Sequence, residues 1–164
     1  MTDRIVAKLK DLGHELPHPP APVGAYVSVK QIGDLVVTSG QLPFVGKMLT
    51  FKGKVGAALQ TEEAQFAALH AVLNALAHVR QHLGSLERVR QVLRLEGFVN
   101  SAPGFQDQTR VLNRASELLG RLFGEAGRHT RIAVGVAELP MDAAVEVTLW
   151  VQADMETPAA ESPA

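Results

Sequence analysis

Apolar and polar positions along this chain recur with two periods, and the switches between them mark the elements. Near the N-terminus Ile5, Leu9 and Leu12 fall at helical spacing, so Asp3 to Leu12 reads as a short amphipathic helix ending near Gly13. ELPHPPAPVGAY follows, whose four prolines enforce an extended, non-helical linker. From Tyr26 the period becomes that of strands: Tyr26 to Ile32 and Leu35 to Ser39 flank Gly33-Asp34, a two-residue hairpin signal. Gly40 to Leu59 has loop composition, with room for a short strand.

A long helix is expected next. Thr61 can cap it, Glu62 and Glu63 suit the helix dipole, and Gly84 can end it. Leu69, Val72, Leu73, Leu76, Val79 and Leu83 form its buried stripe. Alternation returns at Val89 to Asn100, with Leu93, Leu95, Gly97 and Val99 on one face. A second helix runs from about Gln106 to Phe123, along Val111, Leu112, Ala115, Leu118, Leu119 and Leu122. Two last strands, Arg131 to Ala137 and Ala144 to Gln152, are joined by ELPMD, read as a tight turn. The tail METPAAESPA is small and polar and is expected to be disordered. The organisation is thus an N-terminal helix and proline-rich linker (1–23), one domain (24–153) and a tail (154–164).

Two long helices and one mainly antiparallel mixed sheet make an α/β (α+β) fold with both helices on the same face. On the last strand Val145, Val147, Leu149 and Val151 point one way, and Ala144, Glu146, Thr148 and Trp150 the other. A second face bearing tryptophan and small residues suggests subunit packing.

Composition narrows the partners. The 164 residues are 46% hydrophobic and 20% charged, with a formal net charge of −1. There is neither a basic surplus nor a basic stripe, which makes nucleic acid an unfavoured partner. No apolar run is long enough to span a membrane, and MTDRIVAKLKDLGH lacks the hydrophobic block of a secretory signal. Zero cysteines exclude disulfides, thiolate metal sites and cysteine nucleophiles, compatible with a cytoplasmic location.

Three stretches carry a family pattern. GAYVSVKQIGDLVVTSGQLP (Gly24 to Pro43) resembles the opening hairpin and TSGQ/P signature of the RidA (YjgF-like) family. RIAVGVAELPMDAAVEVTLWVQA (Arg131 to Ala153) is similar to its C-terminal hairpin, with its arginine, LP turn and VE pair. The helix, strand and helix between them follow the family's order, and GFVNSAPGFQDQTRVLN stands where the family runs from a strand into the second helix. The resemblance implies a chorismate-mutase-like fold and a homotrimer with three inter-subunit clefts. It implies hydrolytic deamination of reactive 2-imino acids to 2-oxo acids and ammonia, without metal or organic cofactor. Endoribonuclease (L-PSP-like) and translation-inhibitor labels also occur in the family. The alternatives are a non-catalytic module binding small carboxylates and, less favoured, a ribonuclease.

Arg131 leads the candidate residues. Its expected same-face neighbours, Ala133 and Gly135, are small and leave room for a ligand, and a guanidinium forks onto a carboxylate. The plainer alternative is a surface arginine paired with Glu125 or Glu138. Glu146 lies off its strand's apolar stripe, so its pKa is open to perturbation and it can hold or activate a water. The resemblance assigns these two the roles of carboxylate clamp and water-positioning glutamate. In a tight hairpin Glu146 would pair near Gly135, about 13 Å along the strand from Arg131, so the two are expected to act from different subunits. The resemblance adds Tyr26 as a pocket wall, and Ser39 and Gly40, where a backbone N–H can polarise the ligand. Backbone near Ala133 would help orient the imine, and Phe98 is a candidate cover. His78 and His82 are four apart on a helix, but no glutamate follows the first, so an exposed polar face is expected rather than a metal site. His129 is close enough to Arg131 to touch the site.

The chain departs from the best-known members of the family. Ala133 replaces a frequent cysteine, Phe44 to Leu59 differs from the usual acidic-glycine turn, GEAGRHTR replaces a proline-bearing approach to the arginine, and the N-terminal helix is additional.

Overall fold

The computed structural model describes residues 3–22 and 24–154. The expected disordered tail therefore falls, beyond Asp154, outside the described residues. Helix α1 spans Arg4–Asp11, one residue shorter at each end than expected, because Asp3 is its cap: Oδ1 accepts from the Ile5 and Val6 N–H groups. The other carboxylate oxygen accepts from the Leu86 N–H and the Ser85 hydroxyl, and Leu9 is completely buried. One aspartate thus caps α1 and ties it to the turn after the next helix.

Strands β1 (Val29–Ile32) and β2 (Leu35–Thr38) form the expected hairpin, although β1 starts three residues later than expected and leaves Tyr26 in an irregular, half-exposed segment. The loop after it holds a miniature hairpin, β3 (Phe44–Val45) with β4 (Met48–Leu49). Helix α2 covers Thr61–Leu83 and ends on left-handed Gly84. Its cap is Gln60 rather than Thr61, with the Glu63 carboxylate accepting from the Gln60 N–H. Strand β5 is Val89–Asn100. A register shift between Val92 and Arg94 puts Val92 on the core face in place of the expected Leu93. The second helix breaks at Leu112 into α3 (Gln108–Val111) and α4 (Asn113–Phe123).

The sheet order is β1-β2-β7-β5-β6, where β6 is Thr130–Val136 and β7 is Val145–Ala153. This corrects the C-terminal hairpin. Strand β6 pairs with β5 in parallel, and β7 is antiparallel to both β5 and β2. The physical cause lies in the connections. Helices α3 and α4 return the chain to the end of the sheet at which β5 began, so β6 must run parallel to it. Residues 137–144 then pass the end of β5, with Met141 and Asp142 both left-handed at φ 58° and 59°, and deliver β7 to its other edge.

Helices α2, α3 and α4 cover one face, where Val145, Val147, Leu149 and Val151 are fully buried as expected. Gly97 is the point of closest approach, since any Cβ there would overlap the Leu112 side chain. The other face is uncovered and carries Val37, Trp150, Phe98, Ile132 and Val134, with 76%-exposed Ile32 at its edge.

Candidate functional site

The TSGQ segment builds the site. Beyond the register pairs Val36–Val151 and Val37–Trp150, the Leu149 N–H donates to the Thr38 hydroxyl instead of a carbonyl. The chain bulges at Ser39–Gly40 and rejoins β7 at Gln41, whose N–H donates to the Val147 carbonyl at 2.7 Å and whose carbonyl accepts from the Val147 N–H at 3.0 Å. Gln41 is buried, and its amide donates to the Ser39 hydroxyl at 3.0 Å. The bulge lays Gly40 directly on the Glu146 carboxylate: a Cβ at position 40 would overlap Oε1 and come within 2.8 Å of Cδ. No hydrogen bond from the Gly40 N–H is found among the described residues. The glycine leaves room for the Glu146 side chain where it lies, and its own backbone angle is ordinary.

Glu146 is half-buried and has neither a hydrogen-bond donor nor a cation beside it among the described residues. Burial alone pushes its pKa up from the usual glutamate value. It lines a cavity of about 300 Å³ together with Tyr26, Ser39, Gly40 and Met141. Phe98 faces Glu146 directly across the β5–β7 pair. Four of the expected residues therefore converge on one cavity, and Phe98 adjoins them.

Arg131 and Ala133 do not. Arg131 is in register with Leu95, itself opposite Leu149, so it lies on the helix-covered face of the sheet. Glu146, opposite Phe98, is on the uncovered one. The expected open space above Gly135 is also filled, since a Cβ there would meet Gln108 Nε2 at 2.7 Å and Ser101 Oγ at 2.8 Å. Ala133 packs against the core. Arg131 Nη1 instead donates to Asn113 Oδ1 at 3.1 Å and Ser116 Oγ at 3.2 Å on α4. Its guanidinium forms no ion pair among the described residues, so neither Glu125 nor Glu138 neutralises it. Beside it is a shallow hollow of about 320 Å³ shared with Ser116 and His129. His129 Nε2 lies 3.0 Å from Ser116 Oγ, and its Nδ1 lies 2.7 Å from the Gly127 carbonyl. Each chain thus carries two hollows, one beside a desolvated carboxylate and one beside a guanidinium, on opposite faces of its sheet.

The fold coincides with that of known proteins. The sequence profile described as "YjgF/chorismate mutase-like, putative endoribonuclease" matches residues 4–153. The chain belongs to this YjgF/RidA family. Protein TCP17 of Trypanosoma cruzi is 45% identical over 152 residues, covering 91% of this chain and 94% of that protein. The crystal structure of Atu1372 of Agrobacterium tumefaciens, a protein of unknown function, superposes with a TM-score of 0.86 at 41% identity and 92% coverage of each chain. E. coli TdcF with bound serine shares the fold at 22% identity and a TM-score of 0.59, over 84% of this chain and 94% of that one.

Several residues that line or support the Glu146 cavity lie outside the sequence-based expectations. Met141 lines it because two successive left-handed residues turn the chain under Glu146. Asn100 stabilises that turn by donating to Asp142 Oδ1 and the Ala143 carbonyl, and Gly53 N–H donates to the Asp142 carbonyl. His78, expected on an exposed face, is 5% exposed and also lines the cavity. Helical spacing could have placed it near the stripe of Leu76 and Val79, but the polar label of histidine outweighed its position. No helix among the described residues is long and apolar enough to cross a membrane.

Proposed function

We propose that this chain hydrolyses reactive 2-imino acids to 2-oxo acids and ammonia, at a site made by the Glu146 half of one chain and the Arg131 half of another. The observation that carries the proposal is the Glu146 carboxylate. It is desolvated, unpartnered and pressed against a glycine in a cavity of about 300 Å³. Burial keeps its proton affinity high enough to take a proton from water and return it. Water held by Glu146 adds to the C=N carbon, and its proton passes through Glu146 to the imine nitrogen. The carbinolamine then collapses, the C–N bond breaks and C=O forms, so that one imine and one water give one oxo acid and one ammonia.

Arg131 supplies the charge that the acidic half-site lacks. Its free guanidinium edge would receive the substrate carboxylate through paired hydrogen bonds. Since one chain holds the two groups on opposite faces, a shared ligand requires a second copy. The uncovered sheet face with Trp150 supplies a surface for such assembly, and a cyclic homotrimer closes it with three equivalent clefts. TdcF holds serine, itself a small carboxylate. A cytoplasmic setting, where amino-acid imines arise, fits the cysteine-free composition. The net charge of −1 gives no support to an RNA substrate.

The test is ammonia release from the imine of 2-aminoacrylate, generated in situ by a pyridoxal-phosphate enzyme. Wild type should accelerate it and Glu146→Gln should not, while pyruvate binds both. Equal rates with and without wild-type protein would leave only a carboxylate-binding role.

A further inference from the structure

Next to the Glu146 cavity lies a second one of about 1050 Å³. The two share Pro20, Ala21, Pro22, Tyr26, Ser28, Phe44 and His78 as walls, so they adjoin one another. Ligand cavities usually measure roughly 300–1,000 Å³. The smaller cavity suits a three- or four-carbon acid, and the larger has no use for such a molecule. Its outer wall is the proline segment after α1. Successive prolines hold that segment extended without a strand partner. Its inner wall is α2, where the buried His78 ring faces the same space as Pro20.

The chemistry of the wall is one-sided. Proline, Tyr26, Val27, Val29 and Phe44 give it apolar surface, and Val27 stays 63% exposed. Its charged or basic members are Lys47, His18, His78 and His82, and it includes no carboxylate. The single acid lining either cavity is Glu146, in the smaller one. An apolar group would therefore be favoured in the larger cavity, while the reacting carbon stays beside Glu146.

We infer that the larger cavity is the side-chain subsite of the Glu146 site, and that the substrates are 2-imino acids with bulky apolar or aromatic side chains. The inference rests on the imino-acid reading above and narrows it. The N-terminal segment thereby becomes a specificity element: without His18 to Pro22 the cavity would lose its outer wall.

The stable 2-oxo acids serve as probes. Pyruvate and 2-oxo-4-phenylbutanoate are titrated calorimetrically into wild type and into Gln81→Trp, an exposed α2 position that lines only the larger cavity. The phenyl compound should bind wild type about tenfold tighter or better, the return expected from burying several carbons. Gln81→Trp should remove that margin, keep pyruvate affinity within about twofold and melt at the wild-type temperature. Pyruvate binding without any gain for the phenyl compound overturns the subsite and spares the imino-acid reading. A phenyl gain that survives Gln81→Trp places the side chain elsewhere and also overturns it. Failure of every 2-oxo acid to bind overturns the imino-acid reading itself.

Discussion

Gly40 and Glu146 are in direct contact, and each can be tested without disturbing the other's backbone. Gly40 does not occupy the left-handed region, so Gly40→Ala keeps an ordinary backbone conformation while its methyl displaces the carboxylate. Turnover should fall by about tenfold or more, the scale of losing a positioned acid–base group, with little change in melting temperature. A fully active Gly40→Ala would mean that Glu146 has another working position. The raised pKa of Glu146 gives a second handle. A group whose folded pKa lies above its unfolded one contributes stability below the unfolded pKa and loses it as pH rises through the folded pKa. Ionised Glu146 is therefore a burden at neutral pH. Glu146→Gln should melt higher than wild type near pH 7, and the gap should close by pH 4. A gap that is independent of pH would contradict desolvation as the source of the shift. Inactivity paired with higher stability is the signature of a strained functional group.

Among the elements, contact between α3–α4 and β5 is set by Gly97. Its missing Cβ is the space that Leu112 occupies at the break between the two helices. Gly97→Ala should cost about 1–3 kcal/mol by overpacking, readable as a lower urea midpoint with unchanged slope. Helix α1 depends on Asp3 in a different way. Burial works against its ionisation, but hydrogen bonds from Leu86, Val6, Ser85 and Ile5 prevail and hold its pKa below the ordinary aspartate value. With a depressed folded pKa, its contribution is complete above the unfolded pKa and is lost as pH falls through the folded one. Amides of α1 should therefore lose hydrogen-exchange protection in acid before those of β5, and in Asp3→Asn they should already be less protected at neutral pH. Simultaneous loss in both elements would show that α1 is not held by this carboxylate. Here the sequence was legible as far as local rules reach: the β1–β2 hairpin, the extents of α1 and α2 to within one residue and the stripe of β7 follow from period and turn chemistry, while the cap of α2 is Gln60 rather than Thr61. The break at Leu112 and the bulge at Val92 follow from packing partners distant along the chain, which leave no local period.

For the whole molecule, the separation of Arg131 and Glu146 onto opposite faces predicts complementation. Arg131→Ala should lose roughly 2–4 kcal/mol of carboxylate binding, a thirtyfold to thousandfold effect, and Glu146→Gln should be inactive. Co-expressed in equal amounts, the two variants should form mixed assemblies. In these, about a quarter of clefts join an intact arginine to an intact glutamate, and turnover returns to that fraction. No recovery in assemblies shown to be mixed would rule out the shared site. Trp150, the only tryptophan, lies on the uncovered face with its Nε1 buried and without a hydrogen-bond partner among the described residues, so its emission should shift on dilution if that face joins subunits. A monomer by light scattering at micromolar concentration would remove the interface together with the site.

The sequence by itself determined the family, the strand–helix order and the residues TSGQ and Glu146, because period, turn chemistry and short motifs are properties of neighbours along the chain. It also carried the contrast between the two faces of β7, since alternation is local. Which strands pair was beyond it. Two adjacent strands read as a hairpin, and only the crossover through α3 and α4 decides that β6 joins β5 while β7 takes the opposite edge. That decision turns Arg131 to the helix face and Glu146 to the open one. It also brings the proline segment, Phe44 and His78 around the acid, because a cavity is made of surfaces whose residues need not be near in sequence.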